Sequence, residues 1–437
     1  MQHSTSRRDF LSAGSLGFLG LTLGDYYRAA AAQAPALSNA AAKANAVILL
    51  WLEGGPSHID TWDPKSNSNF KPISTNVAGV QFSELLPKLA KKMDKLAVVR
   101  SMHTRGNDHP QATHYVVTGH EVNPAMQFPS LGSIITKELG PRNAVPPHVL
   151  VPQWDRGRQY EDYFRASFLG GDYDPMCIPD PSKPDFQVTD LSLPKSISQQ
   201  AVESRSAFLK AVDRRYRALS ESAEHANLDA FSSQAWKMLL TPAVRDAFDL
   251  SKESEKMKER YGKDSIGQSA LLARRLVEAG SRFVTAAGYH GNSWDTHSNN
   301  DTTHKDRLAP TLDRTLPALI EDLEERGLLS TTLVVAMGEF GRTPAINANL
   351  GRDHWPNCWS LALSGGGIKM GQVVGSSDDK GYNVTSRVVT MGDLFATIYK
   401  CLGIDYTREY MSPIGRPIKI ANSLEDRTGE PVAELLA

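Results

Sequence analysis

Ala46-Val47-Ile48-Leu49-Leu50-Trp51-Leu52, followed at once by Glu53-Gly54-Gly55-Pro56, is the stretch on which the fold turns. The apolar run has no polar alternation, so a strand built from it is buried on both faces, as in the middle of a parallel sheet. Gly54-Gly55-Pro56 stops it. Outward from this run the pattern returns. Leu96-Ala97-Val98-Val99 and His148-Val149-Leu150-Val151 read as strands, the first preceded by a helix carrying Leu85, Leu86 and Leu89. Further on, Leu271, Leu272, Leu276 and Val277 fall at helical spacing, Gly280 stops that helix, and Arg282-Phe283-Val284-Thr285 reads as a strand. Leu308, Leu312, Leu316, Leu319 and Leu323 share one face of the next helix. Residues 331–337 and Ser360-Leu361-Ala362-Leu363 read as strands, and residues 391–402 as a late helix. The alternation predicts an α/β protein with a central, mostly parallel sheet and helices on both faces.

Between residues 153 and 194 the chain changes character. Gly170-Gly171, Pro175, Pro179, Pro181, Pro184 and Pro194 break any long element. Residues 197–261 then read as polar amphipathic helices with charged, solvated faces, which makes about 195–262 a helical insertion in the α/β frame. The formal net charge of −1 leaves no cationic surplus to draw the protein to nucleic acid. Cys177, Cys358 and Cys401 are too scattered for a CxxC zinc knuckle, and at most two of them can pair.

Ser6-Arg7-Arg8-Asp9-Phe10-Leu11, a weakly apolar run over residues 12–24 and the ending Ala32-Gln33-Ala34 describe a twin-arginine export signal over residues 1–34. The run is shorter than the ~20 residues that span a bilayer. Residues 35–437 are then expected as a single domain without an integral membrane span, delivered to the periplasm or cell surface.

In open α/β sheets ligands bind at the carboxyl ends of strands. Those segments are rich in metal-ligand types here. Glu53, Ser57, His58, Asp60 and Asp63 follow the first strand; His103, Asp108, His109 and His114 follow the second. His290, Asp295, His297 and His304 follow Thr285, and Glu339, Asp353 and His354 follow Met337. Imidazoles beside carboxylates suit zinc, manganese or iron better than calcium, which prefers oxygen shells. Each piece has a plainer reading as well: Asp295-x-His297 as a hydrogen-bonded loop pair, Glu339 as a turn cap. A phosphate loop is excluded, because Gly-x-Gly-x-x-Gly and the Lys-Ser/Thr of a P-loop are absent. Ser57 fails the Gly-x-Ser-x-Gly elbow, since Ile59 stands where the second Gly belongs.

Gly54-Gly55-Pro56-Ser57-His58-Ile59-Asp60-Thr61-Trp62-Asp63-Pro64-Lys65, Trp294-Asp295-Thr296-His297, Gly338-Glu339-Phe340-Gly341-Arg342-Thr343-Pro344 and Gly351-Arg352-Asp353-His354-Trp355-Pro356 resemble the exported bacterial DUF1501 family over nearly the whole chain. That family is in turn similar to the alkaline phosphatase and sulfatase superfamily. The resemblance implies an alkaline phosphatase-like fold and one or two divalent ions, zinc or manganese foremost, bound by Asp295, His297, Glu339, Asp353, His354 and a first-strand acid, which is Glu53 by position or, preferred, Asp60 if the Gly-Gly turn shifts the site. It implies a small-molecule or polysaccharide ester of phosphate or sulfate as substrate. Two departures stand out. Phe340 replaces the superfamily's His beside Glu339. Counting back from Thr118-Gly119, His109 stands at the nucleophile's place and Thr113 at the Arg position. Either His109 or Thr113 takes over the attack, or water on the metal attacks, or the chain does no hydrolysis. His109 is equally a candidate ligand, its second nitrogen held by Asp108. His109 or His58 would handle protons, and Arg342 and Arg352 would stabilise an anionic transition state. The rival expectation is a non-catalytic member of the same fold that binds partners at the cell surface.

Overall fold

The structure is a computed structural model, and it describes residues 42–154, 162–188, 241–289 and 293–437. Residues 1–34, expected as an export signal, much of the expected insertion and His290 lie outside the described residues.

The main sheet has eight strands: β1 (Ala46–Trp51), β2 (Ala97–Met102), β3 (His148–Val151), β4 (Met176–Cys177), β5 (Phe283–Ala286), β6 (Thr332–Met337), β7 (Trp359–Gly365) and β8 (Gln372–Val374). Their spatial order is β8-β2-β7-β6-β1-β5-β3-β4. β1 is central and parallel to both neighbours, with Val47 level with Phe283 on one side and Leu333 on the other. β7 alone runs antiparallel, against β2 and β6.

All six residues of β1 are buried, and their side chains alternate between two cores. Ala46, Ile48 and Leu50 enter one core with Leu271, Leu272, Leu312, Leu316 and Leu319, which come from helices α3 (Ser265–Ala279) and α4 (Ala309–Glu325). Val47, Leu49 and Trp51 enter the other, with residues of α1 (His109–Thr118), α2 (Leu131–Leu139) and α5 (Met391–Leu402). Helices therefore cover both faces, as the unbroken apolar run requires. Each large side chain so buried stabilises the fold by roughly 1.5–3 kcal/mol relative to exposure.

The helix ends follow their sequence signals. Asp264 caps α3 by accepting from Gly267 N, and Gly280 ends it at φ +125°. Thr390 and Asp393 form a capping box on α5. The helix expected around Leu85–Leu89 is a correction: it is one turn, Pro87–Ala90, because residues 81–83 pair instead with 72–74 in a small hairpin. Pro87 then opens the turn, where its missing N–H costs nothing. The strands β4 and β8 carry no long apolar run and were not expected. All three cysteines are free thiols. Among the described residues no helix is long and apolar enough to cross a membrane.

This topology sets the site. β1, β2, β5 and β6 point the same way, so the segments that follow them converge on one rim. Trp359, at the start of antiparallel β7, pairs with Met102 at the end of β2. The segment entering β7, which carries His354, therefore arrives at that same rim.

Candidate metal centre

His109 is the first residue of α1, which ends at Gly119 in the left-handed region (φ +77°). Asp295 and His297 lie in the segment after β5, and Glu339 lies two residues beyond β6. A short antiparallel pairing of Gly341–Arg342 with His354–Trp355 sets His354 opposite Arg342. These four segments meet on Asp295. Its Oδ2 is 3.2 Å from His109 Nε2, and its Oδ1 is 3.1 Å from His297 Nε2 and 3.2 Å from His354 Nε2. The His297 and His354 Nε2 atoms are 2.9 Å apart. Ligand atoms of His109, Asp295 and His354 all lie within 4.8 Å of one another.

The other ring nitrogens are held from behind. His109 Nδ1 is 2.6 Å from Glu339 Oε1, His297 Nδ1 is 2.7 Å from Asp353 Oδ1, and His354 Nδ1 is 2.8 Å from the carbonyl of Asn107. Acceptors at Nδ1 keep the proton there and turn the Nε2 lone pair inward, which is how protein imidazoles are prepared for a metal. Gly54 N donates to both oxygens of Glu339, at 2.9 and 3.1 Å. Arg342 Nη2 lies 2.6 Å from Asp295 Oδ1, and its guanidinium also donates to the carbonyls of Gly54, Gly55 and Arg352.

The charges follow from these contacts. Burial opposes a charged His109, but Asp295 and Glu339 outweigh it and push its pKa up to about 9. Burial would raise Asp295, yet His109, His354 and Arg342 hold it well below the usual carboxylate range. The hydrogen bond from His297 lowers Asp353. Burial, opposed by Asp295, lowers Arg342.

The structure brings together His109, Asp295, His297 and His354 as inward donors. Glu339 and Asp353, expected as ligands, stand behind His109 and His297 and orient their rings. Asp108, expected to hold the second nitrogen of His109, is exposed, and Glu339 takes that role instead. Asp60 is drawn elsewhere. It is fully buried, its oxygens 2.7 and 3.2 Å from Arg352 Nε and Nη2, and it also accepts from Ser68 Oγ and Asn300 Nδ2. Arg342 and Arg352 are themselves fully buried and committed to the protein's own acceptors, so they brace the site from within. Thr113 is buried one turn along α1 from His109. His58 is buried with Nε2 2.8 Å from the Gly381 carbonyl, and burial lowers its pKa. His103, His114 and His304 are likewise engaged by backbone carbonyls, those of Asn357, His120 and Asn300. For these four the plain reading of a locally hydrogen-bonded histidine holds. Sequence reasoning missed the carbonyl of Asn107, since a backbone acceptor leaves no mark in residue identity.

A fit test for a divalent ion is available in the site itself. His109 Nε2 is buried, without a hydrogen-bond partner, and points at Asp295. Three imidazole nitrogens and a carboxylate form a donor set that zinc, manganese or ferrous iron accepts. The residues fit.

The family model described as "Protein of unknown function (DUF1501)" matches residues 44–436. The chain belongs to the DUF1501 family. No curated protein matches it. Among solved structures, this DUF1501 chain is similar to a lipoteichoic acid synthase from Listeria monocytogenes, at 10% identity, covering 90% of this chain and 79% of that one, with a TM-score of 0.41. It is similar to the alkaline phosphatase of the Antarctic bacterium TAB5 at 12% identity, covering 77% and 96%, with a TM-score of 0.38. A sulfatase from a Pseudoalteromonas species gives 12% identity, 89% and 73% coverage and a TM-score of 0.38.

Proposed function

We propose that this DUF1501 chain is an exported, divalent-metal-dependent hydrolase of phosphate or sulfate esters, acting on small-molecule or polysaccharide substrates in the periplasm or at the cell surface. The observation that carries the reading is the convergence of three inward-facing imidazole nitrogens on Asp295 at the carboxyl rim of the sheet. A divalent ion held there by His109, Asp295, His297 and His354 supplies Lewis acidity toward the ester and toward water. The chain's own residues do the rest. Arg342 and the three rings fix Asp295, Glu339 and Asp353 fix the tautomers of His109 and His297, and the partly exposed side of His297 leaves room for substrate to approach. The twin-arginine-like leader suits this chemistry, since that route carries proteins that have already folded around a metal.

A second reading, a non-catalytic binding protein on the same fold, is favoured by one observation. Phe340 and His109 occupy the places where the superfamily resemblance implies a metal-binding His and a nucleophile, and both side chains are buried in the site. Metal analysis of the purified chain, followed by turnover of aryl phosphate and aryl sulfate, separates the two. The hydrolase reading expects aryl alcohol release that a chelator stops, that added ion restores, and that Asp295→Ala abolishes. Bound ion without turnover of either ester, unchanged by Asp295→Ala, leaves the binding protein.

A further inference from the structure

We infer that the centre holds one ion per chain through His109, Asp295, His297 and His354, and that Phe340 closes the place a second ion would need. The inference rests on the metal-centre reading above and sets its stoichiometry and donor set.

An acceptor sits at each Nδ1, so each ring, when neutral, turns an Nε2 lone pair inward. Four close contacts bring these atoms together: 3.2 Å from His109 to Asp295, 3.1 and 3.2 Å from His297 and His354 to Asp295, and 2.9 Å between His297 and His354. A proton on a ring nitrogen bridges one such contact at a time; a cation bound among them would serve several at once. Donors about 2.0–2.2 Å from a tetrahedral ion lie roughly 3.3–3.6 Å apart; the contacts of Asp295 with the three rings, 3.1–3.2 Å, come close to that, and the ligand atoms of His109, Asp295 and His354 all lie within 4.8 Å. The His109 side chain is 9% exposed, and its Nε2 has no hydrogen-bond partner.

The second place is filled by carbon. The Phe340 ring is fully buried, with its centroid 5.0 Å from that of His109 and 4.5 Å from that of His354, and Arg342 lies against it with Cζ 5.5 Å away. The neighbouring carboxylates are spent. Glu339 is taken by Gly54 N and His109 Nδ1, and Asp60 by Arg352, Ser68 and Asn300. Among the described residues, His109, Asp295 and His354 place their ligand atoms all within 4.8 Å of one another, and His297 Nε2 adjoins that group, 3.1 Å from Asp295 and 2.9 Å from His354. A shell of three nitrogens and one oxygen selects zinc, manganese or ferrous iron over magnesium or calcium.

The test uses the full chain, stripped of metal and titrated with cobalt(II) and zinc, read by the visible cobalt absorption and by native mass spectrometry. One equivalent of cobalt saturates an intense visible band typical of nitrogen-rich, low-coordinate cobalt, and zinc displaces it mole for mole. His109→Ala and His297→Ala each weaken binding at least about tenfold and shift the band, with the fold checked by circular dichroism. Two equivalents in the unaltered chain overturn the one-ion inference. A band untouched in folded His109→Ala overturns the donor set. No binding of either ion sinks this inference and the metal centre together. One bound ion without ester turnover supports it and sinks the hydrolase reading alone.

Discussion

Asp60→Asn distinguishes a structural acid from a ligand. In the structure the Asp60 carboxylate is fully buried against an equally buried Arg352, with contacts of 2.7 and 3.2 Å, and receives hydrogen bonds from Ser68 at 2.6 Å and Asn300 at 3.0 Å. Burial would raise its pKa, but Arg352 together with His304 and the Ser68 and Ser57 hydroxyls outweighs that and holds it below the ordinary value. Removing the charge leaves Arg352 buried without a counter-ion and turns an amide N–H₂ toward donors that had faced an oxygen. Breaking one side of a buried pair costs about 3–5 kcal/mol, a large share of the stability of any domain. On the proposed reading an ion would be held elsewhere, on Asp295 and the histidines around it, so metal content per folded molecule is expected to stay unchanged. The assay is a thermal melt of the metal-loaded variant beside metal analysis of its soluble, folded fraction. A variant that melts with the parent chain but has lost its ion would refute the assignment and return Asp60 to the metal shell.

Two further outcomes follow from other parts of the fold. Gly55 sits at φ +77°, and a Cβ built there falls 2.6 Å from Phe340 Cδ2. Gly55→Ala is therefore expected to cost about 2–4 kcal/mol from left-handed strain and overpacking, and to weaken metal binding by moving Phe340 against His109 and His354. A melting temperature and cobalt affinity equal to the parent's would refute that coupling. The pH profile of stability should have a maximum near neutrality. Burial lowers His148 to about 4, so the unfolded chain takes up that proton first; the stability it protects is full above about 6.5 and is lost as pH falls toward 4, by about 3 kcal/mol. His109, pushed up to about 9, acts in the opposite sense: its contribution is full below about 6.5 and is lost as pH rises through 9. Thermal melts of the metal-free chain that stay level from pH 7 to 5 would contradict the first limb.

The fold was legible because its decisive signal is local. A run such as residues 46–52 can only be buried on both faces, and Leu308, Leu312, Leu316, Leu319 and Leu323 can only turn one stripe inward. Both facts are properties of short windows, and β1 and α4 lie where those windows put them. The antiparallel course of β7 was not legible, because Ser360-Leu361-Ala362-Leu363 reads the same in either direction. That direction matters for the site, since it makes β7 begin at the rim where β6 ends and so keeps the connecting segment, His354 included, at that rim.

At the site the residue types were legible and their roles were not. Asp295, His297 and His354 lie side by side, because the first two follow a strand that ends at the rim and the third precedes one that begins there. Glu339 and Asp353 carry the same ligand chemistry in the sequence, yet one carboxylate oxygen decides between binding an ion and binding the back of an imidazole. Glu339 is fixed by two contacts from Gly54 N, which aim it at His109 Nδ1 rather than at Asp295. Those contacts depend on the positive-φ turn at Gly54-Gly55, and that turn in turn wraps the ring of Phe340. The Gly-Gly pair that looked like a mere strand terminator is thus the element that converts Glu339 from a ligand into the support of one. His109 is aimed for the same reason: with Nδ1 claimed by Glu339, its Nε2 faces Asp295.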